Sequence, residues 1–169
     1  ADAARALGAR RVGLVAPYLA YLRQDRQFRP GEAVTSRTFA RVLSAHVDWL
    51  VTGDPHLHRY HTLSDIYGVP NRVVHAAPAL AAWIAAHVDR PVLVGPDAES
   101  AQWVTDVADR VGAPSVVMQK TRRSDRAVEV SAPDLEAYRQ HTSIVVDDVV
   151  SSAQTMVETV KHLVAAGLR

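Results

Sequence analysis

The sequence predicts an α/β protein built on a mainly parallel sheet, and three observations predict it. Short β-branched runs recur at residues 12–16, 49–52, 72–75, 92–94, 115–118 and 144–146. Polar or acidic loops follow most of them. Apolar residues at helical spacing come next, so strand, loop and helix alternate along the chain. A length of 169 residues suits about one ordinary domain or two small ones. The punctuation Val69-Pro70-Asn71 and Ala76-Ala77-Pro78 places a seam near residues 70–78.

Taken in order, Ala3, Ala4, Ala6 and Leu7 read as helical up to Gly8, and the first strand follows. Pro17-Tyr18-Leu19-Ala20-Tyr21 leads into Arg23-Gln24-Asp25-Arg26 and then Arg29-Pro30-Gly31-Glu32. Guanidinium planes, an amide and a carboxylate beside tyrosines suit a purine and its phosphates, although charged loops are ordinarily just solvated. Thr35 or Ser36 is expected to cap a helix whose Phe39, Val42, Leu43, His46 and Val47 line one face. After the second strand comes Gly53-Asp54-Pro55-His56-Leu57-His58-Arg59. Pro55 bars a continuing central strand, so Asp54 and His56 are expected on a turn at the strand's end, where open α/β sheets bind ligands. His56 offers a ring nitrogen to a metal or a proton to a phosphate. His58, His61 and His75 are expected to pack or face solvent.

Pro78 opens a helix through about His87. The strand at 92–94 ends in Gly95-Pro96-Asp97-Ala98-Glu99-Ser100. The next helix carries Ala101, Val104, Ala108 and Val111 on one face and stops at Gly112. The strand at 115–118 gives way to Lys120-Thr121-Arg122-Arg123-Ser124-Asp125-Arg126. Dense cations without apolar anchors predict a mobile loop, either a solubilising surface or a cationic lid over phosphates. Residues 128–130 are expected as an edge strand and 134–140 as a short helix.

Composition narrows the function. Apolar residues make up 48% of the chain, which is enough for a sizeable core. A net charge of +1 favours neither nucleic acid nor a membrane surface. The absence of cysteine excludes disulfides and thiolate metal sites and fits a reducing compartment. No apolar run approaches the ~20 residues of a bilayer span, and residues 1–11 lack the apolar core of a signal peptide. The expectation is a soluble, cytoplasmic protein. Both ends look abrupt, which predicts a piece of a longer chain.

The chemistry concentrates at Ile144-Val145-Val146-Asp147-Asp148-Val149-Val150-Ser151-Ser152-Ala153-Gln154-Thr155-Met156. A strand ends in two carboxylates, a small hydroxylated loop follows, and Met156, Val157, Val160, Leu163 and Val164 then show helical spacing. Such a turn can be an ordinary helix N-cap. It can also cup a phosphate between loop amides, hydroxyls and the positive end of the helix dipole. Asp147 and Asp148 then suit sugar hydroxyls or a divalent cation, and a phosphorylated sugar satisfies both halves.

Five segments in register make the chain resemble the ribose-phosphate pyrophosphokinase family. They are Pro17-Tyr18 with Arg23-Gln24-Asp25-Arg26, Asp54-Pro55-His56, Pro96-Asp97-Ala98-Glu99-Ser100, Lys120-Thr121-Arg122, and Asp147 through Thr155. The resemblance implies phosphoribosyltransferase-type (type I) domains, incomplete at both ends. Residues 1–75 would be the later part of the first domain and 76–169 most of the second. It implies transfer of diphosphate from ATP to the 1-hydroxyl of ribose 5-phosphate, with Mg²⁺, in a homo-oligomer. By the same resemblance Arg23, Gln24 and Asp25 hold ATP, His56 and Asp97 ligate Mg²⁺, and Lys120 and Arg122 close over the transferring group. Asp147 and Asp148 take the ribose hydroxyls, while Ser151, Ser152, Ala153, Gln154 and Thr155 cradle the 5-phosphate. The chain departs from the family where Glu99-Ser100 replaces a glycine pair and Gln154 replaces a glycine. Those departures keep two alternatives open, a non-catalytic partner and a phosphoribosyltransferase.

Overall fold

The computed structural model describes residues 1–124, 127–131 and 135–168, with the backbone alone for 119–124 and 127–131. The chain forms two compact units, Ala1–Ala76 and Ala77–Arg169. After a short helix α1 (Asp2–Ala6), the first unit contains β1 (Gly13–Ala16), α2 (Thr35–Ser44), β2 (Trp49–Gly53) and β3 (Asn71–Val74). Its strands pair in parallel in the order β1-β2-β3, with Gly13 beside Trp49 and Leu50 beside Asn71. Leu50 at the centre packs with Leu19, Leu22, Ala40, Leu63 and Tyr67. Burying each of these leucines contributes about 1.5–3 kcal/mol.

The helix α2 departs from expectation. Val34 is its N-cap, and Thr35 and Ser36 lie inside the helix rather than capping it. Ser36 and Ala40 are the buried positions, with Leu43 packed beside them, while Val42 stays 52% exposed. The fully buried positions of α2 are therefore both small, and its large apolar residues lie half-buried or exposed.

The second unit holds α3 (Ala77–His87), β4 (Pro91–Gly95), α4 (Ala101–Val111), β5 (Ser115–Val117), β6 (Gln119–Ser124), β7 (Ala127–Ser131), β8 (Thr142–Val145) and α5 (Gln154–Ala165). Strands β5, β4 and β8 form a parallel sheet with β4 in the middle. Covered on both faces, β4 is a continuous apolar run, as parallel strands require. Leu93 faces α3 and α4 with Ala81, Ile84, Val104 and Val107. Val92 and Val94 face the other side with Val116, Met118, Leu135 and Leu163. The helix α4 stops as expected, with Gly112 left-handed at φ 71°.

Three more expectations differ from the structure in this unit. The cationic stretch is not a bare loop: β6 and β7 pair antiparallel, with an irregularity between Arg122 and Ser124. Its charged sequence carries no alternating apolar signal. The side chains of Lys120 and Arg122 lie outside the described residues, as do residues 125, 126 and 132–134 entirely. In α5 the buried positions are Thr159 and Leu163, whereas Val157, Val160 and Val164 are exposed. The short helix expected at 134–140 is a single 3₁₀ turn, Glu136–Tyr138.

Candidate functional site

In the second unit the site grows from two neighbouring strand ends. Parallel pairing sets Val94 beside Val145, so the turns after β4 and β8 leave the sheet side by side. This is the carboxyl edge, where α/β sheets bind ligands. Gly95 ends β4 under tight packing, since a Cβ there would lie 2.5 Å from Ser100 Oγ. Ser100 is fully buried and donates to the Asp97 carbonyl at 2.6 Å, while Ser100 N–H donates to the same oxygen at 3.2 Å. The amide of Glu99 donates to Asp97 Oδ1 at 3.1 Å. The Asp97–Ser100 turn therefore closes on itself and directs two amides inward.

The 147–155 segment follows β8. Val146 N–H extends the ladder to the Val94 carbonyl at 2.9 Å, and the half-buried Asp147 and Asp148 come next. Burial pushes the Asp147 carboxyl up to about 6, with the charges of Asp148 and Asp97 adding to it and the Asp148 amide at 2.9 Å opposing it. Asp97 and Asp147 thus feel each other from adjacent strand ends. Two hard oxygen donors in one field fit Mg²⁺, which prefers one or two carboxylates plus substrate oxygens. Ser151 and Ser152 are exposed, and Thr155 is half-buried. Ala153 is the N-cap of α5 with φ 60° and ψ 3°, and no side chain caps that helix. Its first amides are left to water or an anion.

In the first unit the equivalent edge carries the turns after β1 and β2. Arg23 is exposed, and the Gln24 carbonyl accepts the Ser36 amide at 3.2 Å. The Asp25 carboxylate is wholly buried, and both oxygens accept from Arg59 Nη1 at 2.8 and 2.9 Å. Asp54, at φ 29°, accepts from the Ala76 amide at 2.8 Å and pairs with His75 Nδ1 at 2.9 Å. His56 is buried, with its ring edge-on to His58 at 5.7 Å between centroids. The turn positions expected for Asp54 and His56 are therefore observed. Asp25 was singled out in the sequence, but its pairing with Arg59 was not, because charges 34 residues apart leave no local pattern.

Comparison with known proteins follows this geometry. Residues 66–169 match the family model of the phosphoribosyl transferase domain, and residues 1–46 match that of the N-terminal domain of ribose phosphate pyrophosphokinase. The ribose-phosphate pyrophosphokinase of Methanopyrus kandleri is 38% identical over 164 residues, covering 96% of this chain and 55% of that protein. The corresponding protein of Halobacterium salinarum is 35% identical, covering 96% and 57%. A crystal structure of phosphoribosylpyrophosphate synthetase from Mycobacterium smegmatis superposes with a TM-score of 0.82 at 26% identity, covering 99% of this chain and 54% of that one. The chain spans about half the length of the curated relatives it matches. Type I phosphoribosyltransferase architecture is the fold. No described helix is long and apolar enough to cross a membrane.

Proposed function

Because the chain belongs to the ribose-phosphate pyrophosphokinase family, we propose that it transfers diphosphate from ATP to the 1-hydroxyl of ribose 5-phosphate, giving phosphoribosyl diphosphate and AMP. The observation that carries this reading is the placement of Asp97 and the Asp147–Thr155 turn at adjacent strand ends. A sugar phosphate meets both demands of that edge: acceptors for hydroxyls and open helix amides for a dianion. Asp147 and Asp148 take the ribose hydroxyls, and the turn into α5 takes the 5-phosphate.

Asp97, with Asp147 beside it, would hold Mg²⁺, and the family resemblance adds His56. Bound Mg²⁺ supplies charge neutralisation on the phosphate oxygens. Arg23 and Gln24 present a guanidinium and an amide to ATP. Lys120 and Arg122 meet charge developing on the transferring group, work for which a positioned donor contributes about 3–4 kcal/mol. A homo-oligomer that completes the nucleotide site belongs to the same reading. The test is AMP formation by the full protein, expected only when ATP, ribose 5-phosphate and Mg²⁺ are all present. A folded protein that forms no AMP under those conditions overturns it.

One observation favours a second reading, a non-catalytic partner that binds nucleotide. The amides of Glu99 and Ser100 are spent on Asp97, and Glu99 adds negative charge where diphosphate would approach. Nucleotide binding without turnover, unchanged by Glu99→Gly with Gln154→Gly, would support the partner. Turnover restored by those glycines would support the enzyme.

A further inference from the structure

Asp25 belongs to the segment that family resemblance assigns to ATP, yet its carboxylate has no exposed surface. Both of its oxygens accept from a single atom, Arg59 Nη1. A guanidinium carries five N–H donors in a rigid plane. With Nη1 committed to Asp25, Nε and Nη2 remain to serve another acceptor, on a side chain that is 40% exposed. The same two segments are clasped a second time around the start of α2. Ser36 Oγ and Tyr60 Oη meet at 2.9 Å, both buried, and the Ser36 amide reaches the Gln24 carbonyl. Arg59 is thereby tied to the segment that follows β1 and carries Arg23, Gln24 and Asp25.

We infer that Asp25 is a positioning residue and that Arg59 is the group that touches the nucleotide, through a phosphate oxygen. Asp25 cancels the charge of Arg59, so the contribution of Arg59 is direction: a fixed planar donor edge rather than net attraction. The neighbouring Arg23, Arg26 and Arg29 supply the positive field that brings a polyanion near. A merely structural clasp would account for the burial of Asp25, but it would leave nucleotide affinity untouched when both charges are removed together. This inference rests on the proposed nucleotide chemistry and sharpens it.

Calorimetry of the full chain with ATP tests it, using Arg59→Gln, Asp25→Asn and the double variant. Arg59→Gln strands a buried carboxylate and can cost the fold, so the double variant, which removes both charges, carries the decision. It is expected to melt cooperatively and to bind ATP ~10-fold or more weakly than wild type. Where the single variants fold, each should bind as weakly as the double, since Asp25 acts only through Arg59. Arg59→Lys, which keeps charge but loses the planar edge, should not restore affinity. In turnover, KM for ATP should rise while KM for ribose 5-phosphate stays put. A double variant with wild-type affinity overturns the inference, as does an Asp25→Asn loss that adds to that of Arg59→Gln, because Asp25 would then touch the nucleotide itself. A wild-type chain that binds no ATP overturns the inference and the enzymatic reading together, so the two failures are distinct.

Discussion

Asp147 shows what a half-buried carboxylate at a candidate site costs the fold. Its carboxyl rises from an ordinary 3.8 to about 6, chiefly through burial. The protonated form is therefore the one the fold prefers. The associated stability is fully present below about pH 3.8 and is lost as pH rises through about 6. Solvent screening keeps the effect on the order of 1 kcal/mol. Asp147→Asn should raise the melting temperature near neutral pH and flatten the pH dependence of unfolding between about pH 4 and about pH 6, both read by thermal melts in chelator. An unchanged profile would mean that the carboxylate is better solvated than its surroundings indicate. Ala153 makes a second, simpler case. A left-handed backbone at φ 60° costs a residue with a Cβ ~1 kcal/mol relative to glycine. Ala153→Gly should stabilise the protein by roughly 0.5–1 kcal/mol, whereas Ala153→Val should destabilise it. The residue that departs from the family's glycine at this turn, Gln154, already sits in the first turn of α5, so Gln154→Gly should cost about 0.5–1 kcal/mol instead.

At the scale of elements, α5 separates what patterning reveals from what it conceals. Its valines suggested an inner face, yet Thr159 and Leu163 point inward while Val160 is 47% exposed. Thr159 is tolerated inside because its hydroxyl donates to the Thr155 carbonyl at 2.9 Å, which satisfies it within the helix. The two assignments share Leu163 and differ at the valines, so Val160 decides between them. Leu163→Ala should cost about 2–4 kcal/mol and Val160→Lys less than about 0.5 kcal/mol, measured by denaturant unfolding. A cost at Val160 comparable to that at Leu163 would restore the sequence-based face. The central strand β4 was readable because burial on both sides demands an unbroken apolar run, and α4 was readable because Gly112 turns left-handed at its end. The faces of α2 and α5 were not, since small or self-satisfied residues occupy the interior. Of the β6–β7 pair, β7 was legible at residues 128–130, whereas β6 was hidden by charge, as a polar strand leaves no alternation to detect. At the site, Asp97 and Asp147 were legible from their positions at strand ends. The Asp25–Arg59 pair was not, because the fold alone brings those two segments together.

At the scale of the molecule, each hydrophobic cluster is closed within one unit. The cluster around Leu50 draws only on residues of Ala1–Ala76, and those around Leu93 and Val94 draw only on Ala77–Arg169. A cavity placed in one cluster should therefore act first on the backbone of its own unit. Leu50→Ala should cost about 2–5 kcal/mol locally and accelerate hydrogen exchange in β1, β2 and β3, leaving the slowest amides of β4, β5 and β8 protected. Leu93→Ala should do the converse. Equal loss of protection across both sheets in either variant would mean that the chain unfolds as one cooperative body. The result bears on function, since the candidate ATP residues stand on one sheet and the candidate sugar-phosphate residues on the other. If the sheets unfold separately, variants of the first unit can abolish nucleotide binding while the second unit still binds ribose 5-phosphate. Calorimetry with each ligand on Leu50→Ala, held at a temperature between two separate melts, would read that difference directly.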